Sequence, residues 1–209
     1  MRTVFFGTPA IAVPALRALH ETTTVAAVVC QPDRPSGRGL SLTPPAVKVA
    51  AAGLGLPVLQ PVKVRDGELS ARLRGLATDA AVVMAYGRIL PEDVLIAPRA
   101  GCVNLHASLL PRYRGAAPIQ WAVIRGETAT GVSLMQMDAG MDTGAVYTTR
   151  SLAIGPDETA GELAERLAAL AAQIVREDLA AVVAGAVVAS PQDPALATYA
   201  PPIRSADAV

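Results

Sequence analysis

The sequence predicts an open α/β fold, a mostly parallel, Rossmann-like sheet with helices on both faces. Three observations predict it. Apolar runs rich in β-branched residues recur at Val25 to Cys30, Ala80 to Met84, Cys102 to Leu105 and Val132 to Met137. Helical patterns such as Ala10 to Leu19 and Asp66 to Leu76 separate them, so the strands are joined by helical crossovers. The runs are nearly continuous instead of alternating, as strands covered on both faces are.

The first element is a buried strand, Val4-Phe5-Phe6, which Gly7-Thr8-Pro9 turns into a helix, with Thr8 as N-cap and Pro9 at the first helical position. Thr159 to Ala184 reads as one long amphipathic helix with Leu163, Leu167, Leu170, Ile174 and Val175 on a single packing stripe. Beyond Ser190 the chain becomes Pro-rich and non-periodic. The expected organisation is therefore one domain over residues 1–189 and a linker or arm over residues 190–209.

Composition narrows the function. A chain of 209 residues, 52% of them hydrophobic, suits one domain with a large core. The formal net charge is +0 and only 17% of residues are charged, so no global field draws the chain to a polyanion or an acidic membrane, and any nucleic-acid contact must be local. Cys102 occupies an apolar strand position and Cys30 a strand end, which argues against a disulfide framework and for a reducing cytoplasm. The apolar run Leu179 to Ala189 is shorter than the roughly 20 residues a membrane span requires, and Gly185 interrupts it. The expectation is a soluble protein. Cys30, Cys102, His20 and His106 show no zinc spacing, so no metal is expected. Gly7-Thr8-Pro9-Ala10 is not Gly-x-Gly-x-x-Gly, so no nicotinamide cofactor is expected either.

Two stretches are too long for plain turns: Gln31 to Pro45, loaded with Pro, Gly and Arg, and the Gly-punctuated Asp138 to Gly144 between two strands. In Gly101-Cys102-Val103-Asn104-Leu105-His106, strand periodicity puts Asn104 and His106 on one face. They stand at the carboxyl end of a strand, the edge at which open α/β sheets bind ligands. An isolated Asn-x-His pair is more often a satisfied core histidine and a turn asparagine, so alone it decides little. Asp142 lies between Gly140 and Gly144, which let the backbone carry a carboxylate close to its neighbours. Its Asp-Thr-Gly tripeptide occurs once, and an aspartic protease needs a pair of carboxylates, so that reading is excluded.

Several segments together resemble the methionyl-tRNA formyltransferases from Val4 to about Ala200. They are Phe6-Gly7-Thr8-Pro9, Gln31-Pro32-Asp33-Arg34-Pro35-Ser36-Gly37-Arg38-Gly39, Ala85-Tyr86-Gly87-Arg88-Ile89-Leu90-Pro91, Asn104 to Pro111, Arg112-Tyr113-Arg114-Gly115-Ala116-Ala117-Pro118-Ile119-Gln120, and Gly131 to Gly144. The Asn-x-His, Ser-Leu-Leu-Pro and late Asp set is shared with glycinamide ribonucleotide and sugar-nucleotide formyltransferases and with formyl-folate hydrolysing enzymes. The Gln-Pro-Asp-Arg-Pro loop separates the methionyl-tRNA group from them.

The resemblance implies formyl transfer from 10-formyltetrahydrofolate to the amine of methionyl-initiator-tRNA, by direct attack and without a covalent enzyme intermediate. Asn104 and His106 would donate to the developing oxyanion. Asp142 would hold His106 oriented and protonated and take up the amine proton. It further implies a reduced-folate site along Arg88, Ile89 and Leu90 and along Ser108, Leu109, Leu110 and Pro111, with Asp138 on the loop that reads the pterin edge. The tRNA would meet Arg34, Arg38 and Lys48. Members of the family continue into a small β-barrel that carries much of the tRNA surface, so this chain, expected to act as a monomer, should bind tRNA weakly. Two other readings stand beside this one: an N-formyltransferase of an amino sugar nucleotide, and a non-catalytic folate-binding module.

Overall fold

The computed structural model describes residues 1–36, 41–204 and 207. In chain order its strands and helices are β1 (Arg2–Gly7), α1 (Val13–Thr22), β2 (Thr24–Val29), β3 (Arg34–Ser36), β4 (Ser41–Thr43), α2 (Ala46–Gly53), β5 (Val58–Leu59), α3 (Glu68–Gly75), β6 (Ala80–Met84), α4 (Glu92–Leu95) and β7 (Cys102–His106). There follow β8 (Arg114–Gly115), α5 (Pro118–Ile124), β9 (Ala129–Gln136), β10 (Val146–Ala153), α6 (Ala160–Glu177), α7 (Leu179–Val183) and β11 (Tyr199–Ala200).

Seven strands form one sheet in the order β10-β9-β7-β6-β1-β2-β5. β5, β2, β1, β6 and β7 are mutually parallel, and β9 and β10 close that edge antiparallel. The chain starts in the middle of the sheet, builds outward to β5, then returns to add β6 on the other side of β1. This reversal opens a crevice above the carboxyl ends of β1 and β6, where doubly wound folds take their ligands.

Both faces of the sheet are covered, and the core divides accordingly. On one face Leu16 and Leu19 of α1 and Leu163, Leu167 and Ile174 of α6 pack over Phe5, Val82 and Leu105; on the other Leu69 and Leu73 of α3 pack over Val4, Phe6 and Val83. This is why β6 and β7 are buried at every position and read as unbroken apolar runs. No helix among the described residues is long and apolar enough to cross a membrane.

Three local expectations are revised. Thr8 does not cap a helix. Its hydroxyl donates to Tyr86 O at 2.9 Å across the crevice, while Pro9 precedes one 3-10 turn (Ala10–Ala12), and α1 starts at Val13 with Pro14 in its first turn. The long carboxyl-terminal helix is two helices. They meet at Asp178, which stays in the right-handed region but with φ widened to −111°, and both of whose carboxylate oxygens accept from Arg150 Nη2, at 2.8 and 2.9 Å. The start of α6 is secured by a reciprocal cap between Thr159 and Glu162.

The third revision concerns the tail, which packs against the domain as a strap. Ser190 exchanges backbone hydrogen bonds with Val146, at 2.9 and 2.8 Å. β11 pairs in parallel with β8, and Ala200 is fully buried. Gly115 permits this contact: its φ is +116°, and a Cβ there would lie 2.8 Å from Ala200 O.

Candidate active site

β7 delivers Asn104 and His106 on one face at its carboxyl end, as strand periodicity requires, and both are nearly buried, at 9% and 6% exposure. Opposite them the 138–144 loop brings in Asp142. Its Oδ1 accepts from Asn104 Nδ2 at 3.4 Å, and its Oδ2 lies 3.6 Å from His106 Nδ1. The other ring nitrogen, Nε2, is 2.8 Å from Tyr113 O. A carbonyl only accepts, so Nε2 carries a hydrogen and Nδ1 is the atom left facing the carboxylate.

Asp142 is held from two further sides. Gly115 N donates to its Oδ2 at 2.8 Å, and Gln192 Nε2 donates to its carbonyl at 2.8 Å and to that of Gly144 at 2.7 Å. The residue has φ +54°, a left-handed conformation that costs a non-glycine residue about 1 kcal/mol and persists only where the surroundings over-determine it. Gly144 allows the loop to return so tightly, because a Cβ at that position would run into Gln136 O. Within the loop Asp138 Oδ1 accepts from Gly140 N at 3.0 Å and Thr143 Oγ1 at 2.8 Å.

The three side chains open onto a cavity of about 730 Å3 over the crevice, within the range of small-molecule sites. Residues 83–90 at and after the end of β6, residues 104–107, Ala116 and Pro118 at the start of α5, Met137, Asp138 and residues 140–142 line it. Ile89 and Met141, at 59% and 55% exposure, are apolar side chains of this lining that remain open to solvent.

The expected folate residues divide. Arg88, Ile89, Leu90 and Asp138 line the cavity; Arg88 also spends its guanidinium on Pro61 O at 3.2 Å and Val62 O at 2.7 Å. Ser108, Leu109, Leu110 and Pro111 do not line it. Ser108 Oγ donates to Arg112 O at 2.6 Å, and Ser133 Oγ bonds both Ser108 O and Leu110 N, so this turn serves to present Tyr113 O to His106.

Of the expected tRNA residues, Arg34 stands on the β3–β4 hairpin with its guanidinium donating to Gln31 Oε1. Lys48 is an ion-pair partner of Asp33, at 2.7 Å, and Arg38 lies outside the described residues. Hydrogen bonds from Gln60 and Lys48 hold the Asp33 carboxyl below its ordinary range. Burial pushes the Cys30 thiol up to about 11, partly opposed by Lys48, and the Cys102 thiol up to about 12, so neither is a thiolate nucleophile at neutral pH.

With this geometry in view, a family model described as formyl transferase matches residues 1–179. The chain belongs to the formyl transferase family. A methionyl-tRNA formyltransferase of Sorangium cellulosum is 62% identical over 207 residues, covering 99% of this chain and 67% of that protein. One from Geobacter metallireducens is 53% identical, over 98% of this chain and 66% of that protein. The chain thus spans about two thirds of the length of these relatives. Among solved structures, a glycinamide ribonucleotide transformylase 1 from Symbiobacterium toebii aligns with TM-score 0.75 at 20% identity, covering 92% of this chain and 94% of its own. A Helicobacter canadensis N-formyltransferase in complex with folinic acid and dTDP-3-aminofucose aligns with TM-score 0.74 at 18% identity, covering 95% and 70%. These two share the formyltransferase fold.

Sequence reasoning did not single out Gln31, Tyr113, Gly115 or Gln192. Gln31 lines the cavity and donates to Tyr86 O at 2.9 Å, beside the hydroxyl of Thr8. The only local sign of order around Gln192 is the following Asp193, whose carboxylate accepts from Ala195 N at 2.9 Å and caps a 3-10 turn.

Proposed function

We propose that this formyl transferase moves the formyl group of 10-formyltetrahydrofolate to the free amine of methionyl-initiator-tRNA, in the cytoplasm. One observation carries the chemistry: Asn104, His106 and Asp142 converge at the carboxyl edge of the sheet, beside a cavity of about 730 Å3 walled by apolar side chains and loop backbone. The choice of acceptor is supported by the 62% and 53% identity to two methionyl-tRNA formyltransferases. The cavity suits a flat polar ring with an apolar extension, because Ile89, Leu90 and Met141 supply walls while main-chain groups of residues 137–142 fix orientation.

10-Formyltetrahydrofolate supplies the formyl carbon as the electrophile. Asn104 Nδ2 and His106 Nδ1 both face Asp142 and the cavity, where donors stabilise the negative oxygen that forms when the amine adds to that carbon. The Nε2 hydrogen bond to Tyr113 O fixes the imidazole plane, so Nδ1 acts as a donor when the ring is protonated. Asp142 accepts the proton the attacking nitrogen must lose and returns it to the departing folate nitrogen, so that the amine ends acylated and the folate nitrogen carries hydrogen. The β3–β4 hairpin, with Arg34 on it and Arg38 in its 37–40 connection, is the tRNA-facing element, and with a net charge of +0 the chain neutralises few phosphates.

The test is formylation of a panel comprising charged initiator tRNA, an amino sugar nucleotide and glycinamide ribonucleotide, with 10-formyltetrahydrofolate as donor. Formylated methionyl-tRNA alone is the expected outcome. Formylation of the sugar nucleotide in its place overturns the acceptor assignment.

A further inference from the structure

The strap formed by residues 190–200 lies beyond the stretch that the family model matches, residues 1–179, yet it contacts both halves of the candidate active site. On the histidine side, Thr198 Oγ1 accepts from Tyr113 N at 2.9 Å and Thr198 O accepts from Arg114 N at 2.9 Å, bracketing the carbonyl to which His106 Nε2 donates. On the carboxylate side stands Gln192. Its Nε2 donates to Asp142 O and Gly144 O, and its Oε1 accepts from Arg114 Nε at 3.0 Å and Nη2 at 2.8 Å.

Arg114 makes this contact informative. The residue is 5% exposed, and among the described residues its side chain donates to Gln192 alone, through Nε and Nη2, and forms no ion pair with a carboxylate. Gln192 is therefore the acceptor that orients this largely buried side chain. The polarity is directional: a cation on one side of the carboxamide strengthens its N–H donors on the other, and both are aimed at carbonyls of the loop that holds Asp142 left-handed. The residue after Arg114 is Gly115, whose N–H grips the Asp142 carboxylate itself. β8 and the strap therefore fix Asp142 by backbone and side chain together.

We infer that Gln192 is a positioning residue for formyl transfer, a carboxamide relay through which buried Arg114 and the carboxyl-terminal strap hold Asp142 in its working conformation. This rests on the catalytic reading of Asp142 given above. The relay explains why a Pro-rich segment without an α-helix docks on a domain whose sheet is already complete. The hydrogen bonds of Gln192 and Thr198 go to the site.

The experiment compares Gln192→Ala and Gln192→Glu with the unaltered chain and with Asp142→Asn. It follows kcat and KM for formylation of charged initiator tRNA, the Kd of a stable formylfolate analogue, Tm, and hydrogen exchange of the Gly115 amide. Gln192→Glu has the same shape and keeps a partner for Arg114, but loses both donors, so packing loss and donor loss separate. Both variants are expected to lose kcat by about 10- to 100-fold, the scale of a small misplacement of a reacting group, with analogue Kd and Tm little changed. Gly115 exchange should rise at least tenfold while the amides of β6 and β7 keep their protection. Wild-type kcat in both variants, with Asp142→Asn inactive in the same assay, overturns the relay and leaves the catalytic reading standing. Parallel loss of Tm, analogue binding and β6–β7 protection in both variants also overturns it, since Gln192 is then part of the general scaffold. An active Asp142→Asn overturns the reading on which the relay rests.

Discussion

The 138–144 loop and the 31–43 segment flank the same cavity, and both stand out in the sequence as stretches too long for turns, but they are held differently. The first receives hydrogen bonds from three separate parts of the chain, namely Asn104 on β7, Gly115 on β8 and Gln192 on the strap. The second is anchored at its base, through Gln31 to Tyr86 O, Gln60 to Gln31 O, Arg34 to Gln31 Oε1 and the Asp33–Lys48 pair; among the described residues β3 and β4 pair only with each other as strands, and β4 is exposed throughout. A proton acceptor must sit within a few tenths of an ångström of its partner. A surface that meets a large, deformable nucleic acid has no such constraint. The difference in anchoring matches the different roles proposed for the two loops, catalysis and substrate contact.

Breaking the rigid side should have the largest effect. Asn104→Ala and His106→Ala each remove a donor to charge that exists only in the transition state, and each should lower turnover on the order of 100- to 1000-fold. Far-UV circular dichroism and Tm should be retained. Steady-state kinetics on both variants checks this, and near wild-type turnover in both removes the pair from the chemistry.

Next comes the junction between scaffold and strap. Gly115→Ala forces a side chain into φ +116° and against Ala200 O, 2.8 Å from the new Cβ. It should cost about 1 to 3 kcal/mol and open the strap to proteolysis after Pro191, with activity falling in step with strap release. Limited proteolysis followed by mass spectrometry reads this directly. A strap as resistant as in the unaltered chain would show that β11 does not depend on that close approach.

The hairpin side should respond more gently. Lys48→Ala releases Asp33 and loosens the hairpin base, and Arg38→Ala removes a cation from the hairpin connection. Each should raise KM for tRNA several-fold and leave folate affinity unchanged, so tRNA and folate titrations side by side distinguish the two substrates. The smallest effect is on pH dependence. Asp33 is held below its ordinary pKa by Gln60 first and Lys48 second, so its contribution to stability is full above about 3.9, the unfolded value. It is lost as pH falls toward the lower native value. The Tm difference between the unaltered chain and Asp33→Asn should therefore be constant from pH 7 to 5 and shrink in more acidic solution.

The legible parts of the sequence are those where burial imposes a pattern. β6 was readable to the residue because both of its faces are covered, and the position of Asn104 and His106 followed from the two-residue period of β7. The break in the last helix was not readable, because Asp178 pairs with Arg150, a residue 28 positions away, and helical periodicity carries no trace of that partner. Thr8 misled for a related reason: the local pattern fits an N-cap, but Tyr86 O across the crevice takes its hydroxyl. The strap was least visible. Its stabilisation comes from backbone pairing with Val146 and with the two-residue β8 and from the side chains of Gln192 and Thr198, and none of these leaves a hydrophobic period. Asn104, His106 and Asp142 could be named together only because of the family resemblance. Their convergence depends on a left-handed aspartate and a tight return at Gly144, which the residue types permit without dictating.

The measurement that bears most directly on the account is turnover against folate affinity in Asp142→Asn, an isosteric change that keeps a hydrogen-bond acceptor for Gly115 and removes the proton acceptor. The prediction is a fall in kcat of about 100-fold or more, with formylfolate-analogue Kd within about threefold of the unaltered chain, since equal ground-state binding with lost turnover marks a group used only in the chemical step. Turnover close to that of the unaltered chain, or a loss of folate binding as large as the loss of rate, would contradict it.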